Sequence, residues 1–223
     1  MPSFLIASIA FFIVWLVLLF LSPKTRKEQI IMSVIGLVIS PGALFLANVD
    51  RRGILFDGVT AVGIEDALFA FSLFGAAAVL YQALLGKHAS PVGRSRQTLG
   101  HNPALHWAAH LVIIIGAWLF VSLLTLSLFE VPTLRAFILG AVMVGIYIVA
   151  DRKDLLYNAL FSGLIITIIV FVIEQLFFVR LYPDAAAALT TLGGVPMEQL
   201  VWAAVVGFAI GPLYEYVRHW RIN

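Results

Sequence analysis

The sequence predicts an all-α integral membrane protein, because it is strongly apolar and its apolar runs have membrane-spanning length. Of its 223 residues, 62% are hydrophobic and 12% are charged, whereas soluble domains average about 45–50% and 25%. Runs such as 4–21 and 155–172 are long enough for a helix to cross about 30 Å of hydrocarbon. Backbone groups in lipid must pair internally, and no run alternates like a barrel strand, so the spans are predicted to be helices.

Charge and cysteine content exclude several function classes. The formal net charge is only +2, and the basic residues lie between apolar segments, where they act as topology signals rather than as a nucleic-acid surface. The absence of cysteine excludes disulfides, thiolate nucleophiles, iron–sulfur clusters and cysteine-held zinc. The first apolar segment, 3–21, lacks the charge and cleavage pattern of a secretory signal and is predicted to be a retained helix.

Charge, proline and glycine divide the apolar sequence into seven predicted transmembrane helices. They cover residues 3–22, 29–48, 64–86, 107–129, 134–150, 155–178 and 197–217. The connection 87–106 is predicted to be a polar linker. Alternate loops carry ten Lys and Arg residues on one side and four on the other. This asymmetry predicts an external N-terminus and a cytoplasmic C-terminus. The expected location is a prokaryotic cytoplasmic membrane.

The chain also repeats itself. The sequence 26–28 before the second helix matches 152–154 before the sixth, at an offset of 126 residues. The third helix matches the seventh at an offset of 133, with Glu65 equivalent to Glu198. We therefore predict two parallel three-helix repeats in 1–86 and 130–223, joined by the linker and linking helix of 87–129, with the binding site between the repeats.

Two acids in equivalent places are the leading candidates for chemistry. Glu65 and Glu198 begin the third and seventh predicted helices, where the helix dipole stabilises a carboxylate, so capping is the structural alternative. Phe69 and Trp202 follow them at four-residue spacing, on the same helix faces. An acid beside an apolar ring loses hydration and can stay protonated, while the ring can stabilise a cation. This combination suits protonation of an alkene.

Two further polar residues are predicted to reach the same depth. Glu174 lies near the outer end of the sixth helix, and Asn48 occupies the equivalent position of the second. We expect them to contact the substrate or to orient Glu198. Pairing of Glu174 with Gln175 or Arg180 is an equally good alternative.

Residues at the opposite helix ends are assigned structural roles. Glu215, three residues before Arg218, is predicted to be a surface anchor, and Tyr81 and Tyr214 are predicted to belong to an aromatic belt.

No metal or cofactor is predicted. His106 and His110 share a helix face, but five histidines are too few for a histidine-rich di-iron centre. These two are also predicted at the cytoplasmic end of the helices, opposite Glu65 and Glu198. There is no phosphate-binding glycine loop, and no lysine lies inside a late helix to form a retinal Schiff base.

The segments 63–71 (GIEDALFAF) and 194–202 (GVPMEQLVW) resemble a known motif. They are similar to the start of the third helix in the small, flavin-free lycopene cyclases of heterodimeric or fused type, which carry P-x-E-E followed by Leu and Phe. Gly63 stands in place of the first Pro, Asp66 retains the second acid, and Gln199 replaces that acid in the second copy. The resemblance implies non-redox closure of linear carotenoid ends to ionone-type rings.

The resemblance also implies roles for the motif residues. Glu198 is the first candidate proton donor and Glu65 the second, with Asp66 as a relay or base. The predicted substrate-binding residues are Phe69, Trp202, Glu174, Asn48 and Gln199. The expected partners are a polyene in the bilayer and membrane lipid, with no nucleic acid, and a homo-oligomer is left open. The alternative is a small-molecule or lipid transporter, or a non-catalytic membrane module, that uses the paired glutamates as ligands.

Overall fold

The computed structural model describes residues 2–39, 63–87, 89–91, 103–129, 131–181 and 191–222, which are mostly helical. Asn48 lies outside them. The described helices are α1 (Pro2–Leu21), α2 (26–39), α3 (Ile64–Leu85), α4 (Pro103–Phe129), α5 (Thr133–Asp151), α6 (Leu156–Leu181), α7 (Met197–Ile210) and α8 (Leu213–Arg218). A 3-10 turn, Lys153–Leu155, leads into α6.

Five described segments are long and apolar enough to cross a membrane: Ile64–Leu85, Trp107–Phe129, Thr133–Asp151, Lys153–Phe177 and Met197–Arg218. Leu5–Leu21, the part of α1 whose side chains are described, is apolar but shorter than these five segments. The predicted span 29–48 is described only as far as residue 39. Large apolar side chains such as Val38, Val112 and Phe120 are exposed on the outer faces. These features are those of an all-α integral membrane protein.

The two most buried spans lie at the centre of the packing. Along α3, the run 76–80 is almost fully buried. α1 packs against α3, α5 packs against α7, and α6 contacts both α7 and α3. α4 lies outside α5 and is the most exposed of the spans. Any site between the two central helices is therefore enclosed by α1, α5 and α6.

The seventh predicted helix is interrupted by a turn within its span. α7 ends at Ile210 and α8 begins at Leu213, with a turn at Gly211 and Pro212 between them. Proline has no backbone N–H, so it cannot donate to the carbonyl four residues earlier. The span predicted over 197–217 is present as the apolar segment Met197–Arg218, with this interruption inside it.

Short strands also occur, although only helices were predicted. β1 (Ala89–Pro91) pairs antiparallel with β4 (Trp220–Ile222), which ties the start of the predicted linker to the end of the chain. β2 (Thr191–Leu192) and β3 (Val195–Pro196) form a hairpin before α7, with Gly193 and Gly194 at φ of 60° and 91° in its turn. α4 begins at Pro103, four residues before its predicted start, at a helix position that favours proline.

Glycines let α6 and α7 approach closely. A Cβ atom on Gly207 would lie 2.7 Å from the carbonyl oxygen of Ser162 and 2.8 Å from the Cα of Gly163. A Cβ on Gly163 would lie 2.7 Å from the carbonyl oxygen of Ala204. Small residues at such crossings allow direct backbone packing, which is a main source of helix association in lipid.

Gly207→Val should therefore separate α6 from α7 and lower the free energy of unfolding by about 1–3 kcal/mol, the usual cost of overpacking. Gly116→Val is the matched control, because a Cβ on Gly116 of α4 meets no atom within 4 Å. Unfolding of both variants in mixed detergent micelles measures the difference. Equal stability of the two variants would contradict the close packing at Gly207.

Candidate active site and a buried carboxyl cluster

Two aromatic rings predicted from the repeat lie face to face between the central helices. The ring centroids of Phe69 on α3 and Trp202 on α7 are 5.9 Å apart, with 24° between the ring planes. Phe11 of α1 packs edge-on against Phe69 at 5.4 Å. All three rings adjoin the buried core. The structure therefore brings the two predicted aromatic residues together near the N-terminal ends of α3 and α7.

Glu198 lies at the start of α7 and forms a salt bridge with Arg135. The guanidinium of Arg135 on α5 donates to Glu198 Oε1 from Nη2 at 2.5 Å and from Nε at 3.0 Å. The side chains of Arg135 and Glu198 are 60% and 52% exposed. Arg135 therefore fixes the position of the Glu198 carboxylate at the start of α7.

Asp66 caps the first turn of α3. Its side chain is 1% exposed, and Oδ2 accepts a hydrogen bond from the backbone N–H of Gly63 at 2.8 Å. A carboxylate at the third helical position commonly binds the N-cap N–H in this way. Of the two motif acids in α3, Asp66 thus has the capping role that the sequence left open for Glu65.

Glu65 is half-buried and lies against Gly63. A Cβ atom on Gly63 would lie 2.5 Å from Glu65 Cδ, so the glycine leaves room for this carboxyl group. Phe69, one turn further along α3, places an aromatic ring on the same helix face. Glu65 therefore combines an acid, partial burial and a neighbouring ring stack.

Gln199 and Glu174 are the other predicted site residues that the structure describes. Gln199 follows Glu198 and is half-buried, and its Oε1 is a buried acceptor without a hydrogen-bond partner among the described residues. Glu174 is half-buried on α6. Gln175, its neighbour, donates from Nε2 to the carbonyl oxygen of Gly193 in the hairpin before α7.

A second polar centre lies near the C-terminal end of α3. Gln82 Nε2 lies 3.0 Å from both carboxylate oxygens of Glu28 on α2 and 2.7 Å from Glu215 Oε1 on α8. Asn158 of α6 donates from Nδ2 to Glu215 Oε1 at 3.1 Å and to the carbonyl oxygen of Gly211 at 3.1 Å. Ser162 donates to Asn158 Oδ1 at 3.0 Å. We call these five side chains the carboxyl cluster.

The carboxyl cluster corrects the prediction that Glu215 is a surface anchor. Glu215 is 0% exposed and Glu28 is 5% exposed, so both acids are inside the protein. Charged neighbours in the sequence made both look like surface residues. A usable signal was Gln82, a polar residue in an otherwise apolar stretch of α3 and the repeat equivalent of Glu215.

Arg218 does not pair with Glu215 and instead contacts aromatic rings. Its guanidinium carbon lies 5.1 Å from the ring centroid of Trp107, 5.5 Å from that of Tyr214 and 5.9 Å from that of Trp220. Tyr81 and Tyr214 are buried, so their assignment to an aromatic belt was wrong. Packing of both helices against the core places these tyrosines inside rather than at an interface.

Of the two histidines that share a face of α4, only His110 has a described side chain. His106 lies on α4, and its side chain is outside the described residues. The ring of His110 lies 5.6 Å from that of His219.

Comparison of the chain with known protein families, with curated proteins and with solved structures finds no match.

Proposed function

We propose that the protein is a membrane cyclase that closes the end of a linear carotenoid. The observation that carries the proposal is the stack of Phe69 and Trp202, with an acid one turn before each ring. Electron-rich ring faces stabilise a nearby cation by about 0.5–2 kcal/mol. Two such rings between the central helices suit a reaction that passes through a carbocation inside an apolar environment.

The reaction needs an acid and a base, and its atoms balance as an isomerisation. A proton adds to the terminal double bond, the resulting carbocation forms a carbon–carbon bond to close the ring, and loss of a neighbouring proton restores a double bond. No oxidant or reductant is consumed. General acid and base groups are therefore the main requirement of the site.

We assign the two glutamates the reverse of their expected roles. Glu198, whose carboxylate is held by Arg135, is assigned as the base that removes a proton from the cyclised cation. Glu65, half-buried beside Phe69, suits the proton donor. Asp66 orders the turn that carries Glu65.

We further propose that the site lies between two parallel three-helix repeats in a seven-span chain. Residues 133 positions apart meet at two depths, Phe69 with Trp202 and Gln82 with Glu215. Contacts between equivalent residues are expected along an axis of pseudo-twofold symmetry. Phe69 precedes Gln82 in the first half, and Trp202 precedes Glu215 in the second, so the two halves run in the same direction. The axis that relates them therefore runs parallel to α3 and α7, as parallel repeats require.

The proposed function is tested by expression in a host that accumulates lycopene. We expect conversion of the linear carotenoid to a cyclic product of the same mass, without added flavin or nicotinamide. Purified protein in lipid vesicles should give the same product. An unchanged linear carotenoid in both assays would refute the proposal.

Trp202 gives a sharper prediction about the ring stack. Trp202→Leu should lower the cyclisation rate by about 2- to 30-fold, the equivalent of a lost cation–π contact of 0.5–2 kcal/mol. Trp202→Phe keeps a ring face and should recover most of the rate. Rates in vesicles measure both variants, and equal rates for Leu and Phe would show that the ring face has no electronic role.

The orientation in the membrane is a separate prediction. The excess of Lys and Arg on one side places the C-terminus in the cytoplasm. Reporter fusions after Asn223 should be cytoplasmic, and fusions within 48–62 or 182–195 should be external. An external C-terminus would contradict the orientation, and a C-terminus on the same side as the two loop fusions would contradict the seven-span proposal.

A transporter is the second candidate, favoured by the carboxyl cluster. Glu28 and Glu215 are buried acids contributed by opposite halves of the chain, where transporters often bind coupling ions. Uptake of a small solute into vesicles with no new hydrocarbon formed would favour this function over cyclisation.

A further inference from the structure

The carboxyl cluster joins the two halves of the chain through four elements. Glu28 of α2 and Gln82 of α3 belong to the first half, and Asn158 of α6 and Glu215 of α8 belong to the second. All four side chains are at least 95% buried. The cluster lies about 20 Å along α3 from the ring stack, at 1.5 Å per residue. It is therefore distinct from the proposed cyclisation site.

The two acids of the cluster have different hydrogen-bond patterns. Glu28 presents both oxygens to Gln82 Nε2, each at 3.0 Å. Glu215 accepts two bonds at Oε1, from Gln82 and Asn158, whereas its Oε2 is buried and has no partner among the described residues. A bare carboxylate oxygen in this position would be costly, because burial removes its hydration.

The described basic residues near Glu28 and Glu215 do not form ion pairs with these two acids. Neither acid forms a salt bridge within the part of the chain that the structure describes. Arg152, which faces Glu215 from the turn before α6, is bound at 3.0 and 2.6 Å to the carboxylate of Asp154. Arg218 of α8 lies among aromatic rings, and Tyr214 is a further titratable group beside the pair.

A metal ion does not fit this arrangement. The amide nitrogen of Gln82 lies between the two carboxyl groups, and the amide nitrogen of Asn158 faces Glu215 Oε1. These N–H groups carry positive partial charge toward the oxygens that would have to hold a cation. The carbonyl oxygen of Gly211 fixes the orientation of the Asn158 amide, since it accepts from the same nitrogen.

We infer that the carboxyl cluster is a proton-binding site that holds one proton on Glu215, with Glu28 as its ionised partner. The proton neutralises the unpartnered Oε2 and leaves one negative charge for the amide donors of Gln82 to stabilise. The site connects the two halves of the molecule through a protonated acid rather than a salt bridge. It does not depend on the proposed cyclase activity.

Infrared difference spectroscopy of the full chain in lipid vesicles tests the inference. A protonated carboxylic acid gives a carbonyl band above the amide I region, and the band shifts to lower frequency in deuterated water. We expect the wild type to show this band at neutral pH and Glu215→Gln to lose the part of the band that Glu65→Gln retains. Glu198→Gln is the matched control and should keep the band, because Glu198 is exposed and paired with Arg135.

Three results would overturn the inference. These are absence of the band from the wild type at neutral pH, its retention at full strength in Glu215→Gln, and its appearance only after Na⁺ and K⁺ are removed. The last would identify an alkali cation as the partner. If Glu215→Gln does not insert into the membrane, the wild-type spectra with and without these cations still decide the question. None of these spectra depends on whether the chain cyclises a carotenoid.

Discussion

Glu65→Gln should lower the rate of carotenoid cyclisation by about 10²-fold or more, the usual loss when a general acid is removed. Glutamine keeps the shape and the hydrogen bonding of Glu65 but has no acidic proton to give to the terminal double bond. The half-buried position of Glu65 beside Phe69 is kept in this variant, so binding of the polyene should change little. Single-turnover rates in vesicles measure the effect separately from substrate binding.

Asp151→Asn is the matched control for this experiment. Asp151 is an exposed acid at the far end of α5, where it accepts a hydrogen bond from the Tyr216 hydroxyl at 2.9 Å, and asparagine can accept the same bond. It should leave cyclisation unchanged. Full activity in both Glu65→Gln and Glu198→Gln, with normal insertion, would show that the two glutamates serve only the helix ends.

The helices and their apolar faces could be predicted from the sequence because lipid imposes one strong rule. Every backbone polar group must be paired within the bilayer, so apolar length alone identifies most spans. The break between α7 and α8 could also have been read from Gly211 and Pro212. The pairing of β1 with β4 could not, since it joins segments about 130 residues apart and depends on how the helices pack.

The candidate site was predictable only in part. Phe69 and Trp202 were identified because both the four-residue spacing and the repeat offset pointed to them, and they do meet. The partner of Glu198 was missed, since nothing in the sequence around Arg135 indicates which acid α5 will face. Glu28 was missed because Arg26 and Lys27 precede it, although burial is decided by the helices that cover it.

Gln82→Leu should lower the free energy of unfolding by about 1.5–3 kcal/mol, the usual contribution of a hydrogen bond to a charged group. Gln82 supplies the amide nitrogen that contacts both Glu28 and Glu215, and leucine fills similar space without a donor. The two buried acids would then lose the Gln82 bonds that help to offset their lost hydration, while Glu215 would keep the bond from Asn158. Denaturant titration in mixed detergent micelles measures the change.

The matched control is Gln175→Leu, the same substitution at a position where the amide donates, among the described residues, to the carbonyl oxygen of Gly193. Loss of this one bond should cost about 1 kcal/mol. A triple variant, Glu28→Met with Gln82→Leu and Glu215→Met, should recover most of the lost stability, because apolar side chains of similar volume leave no buried acid to stabilise. If Gln82→Leu costs no more than Gln175→Leu, the carboxyl cluster does not hold the two halves of the chain together.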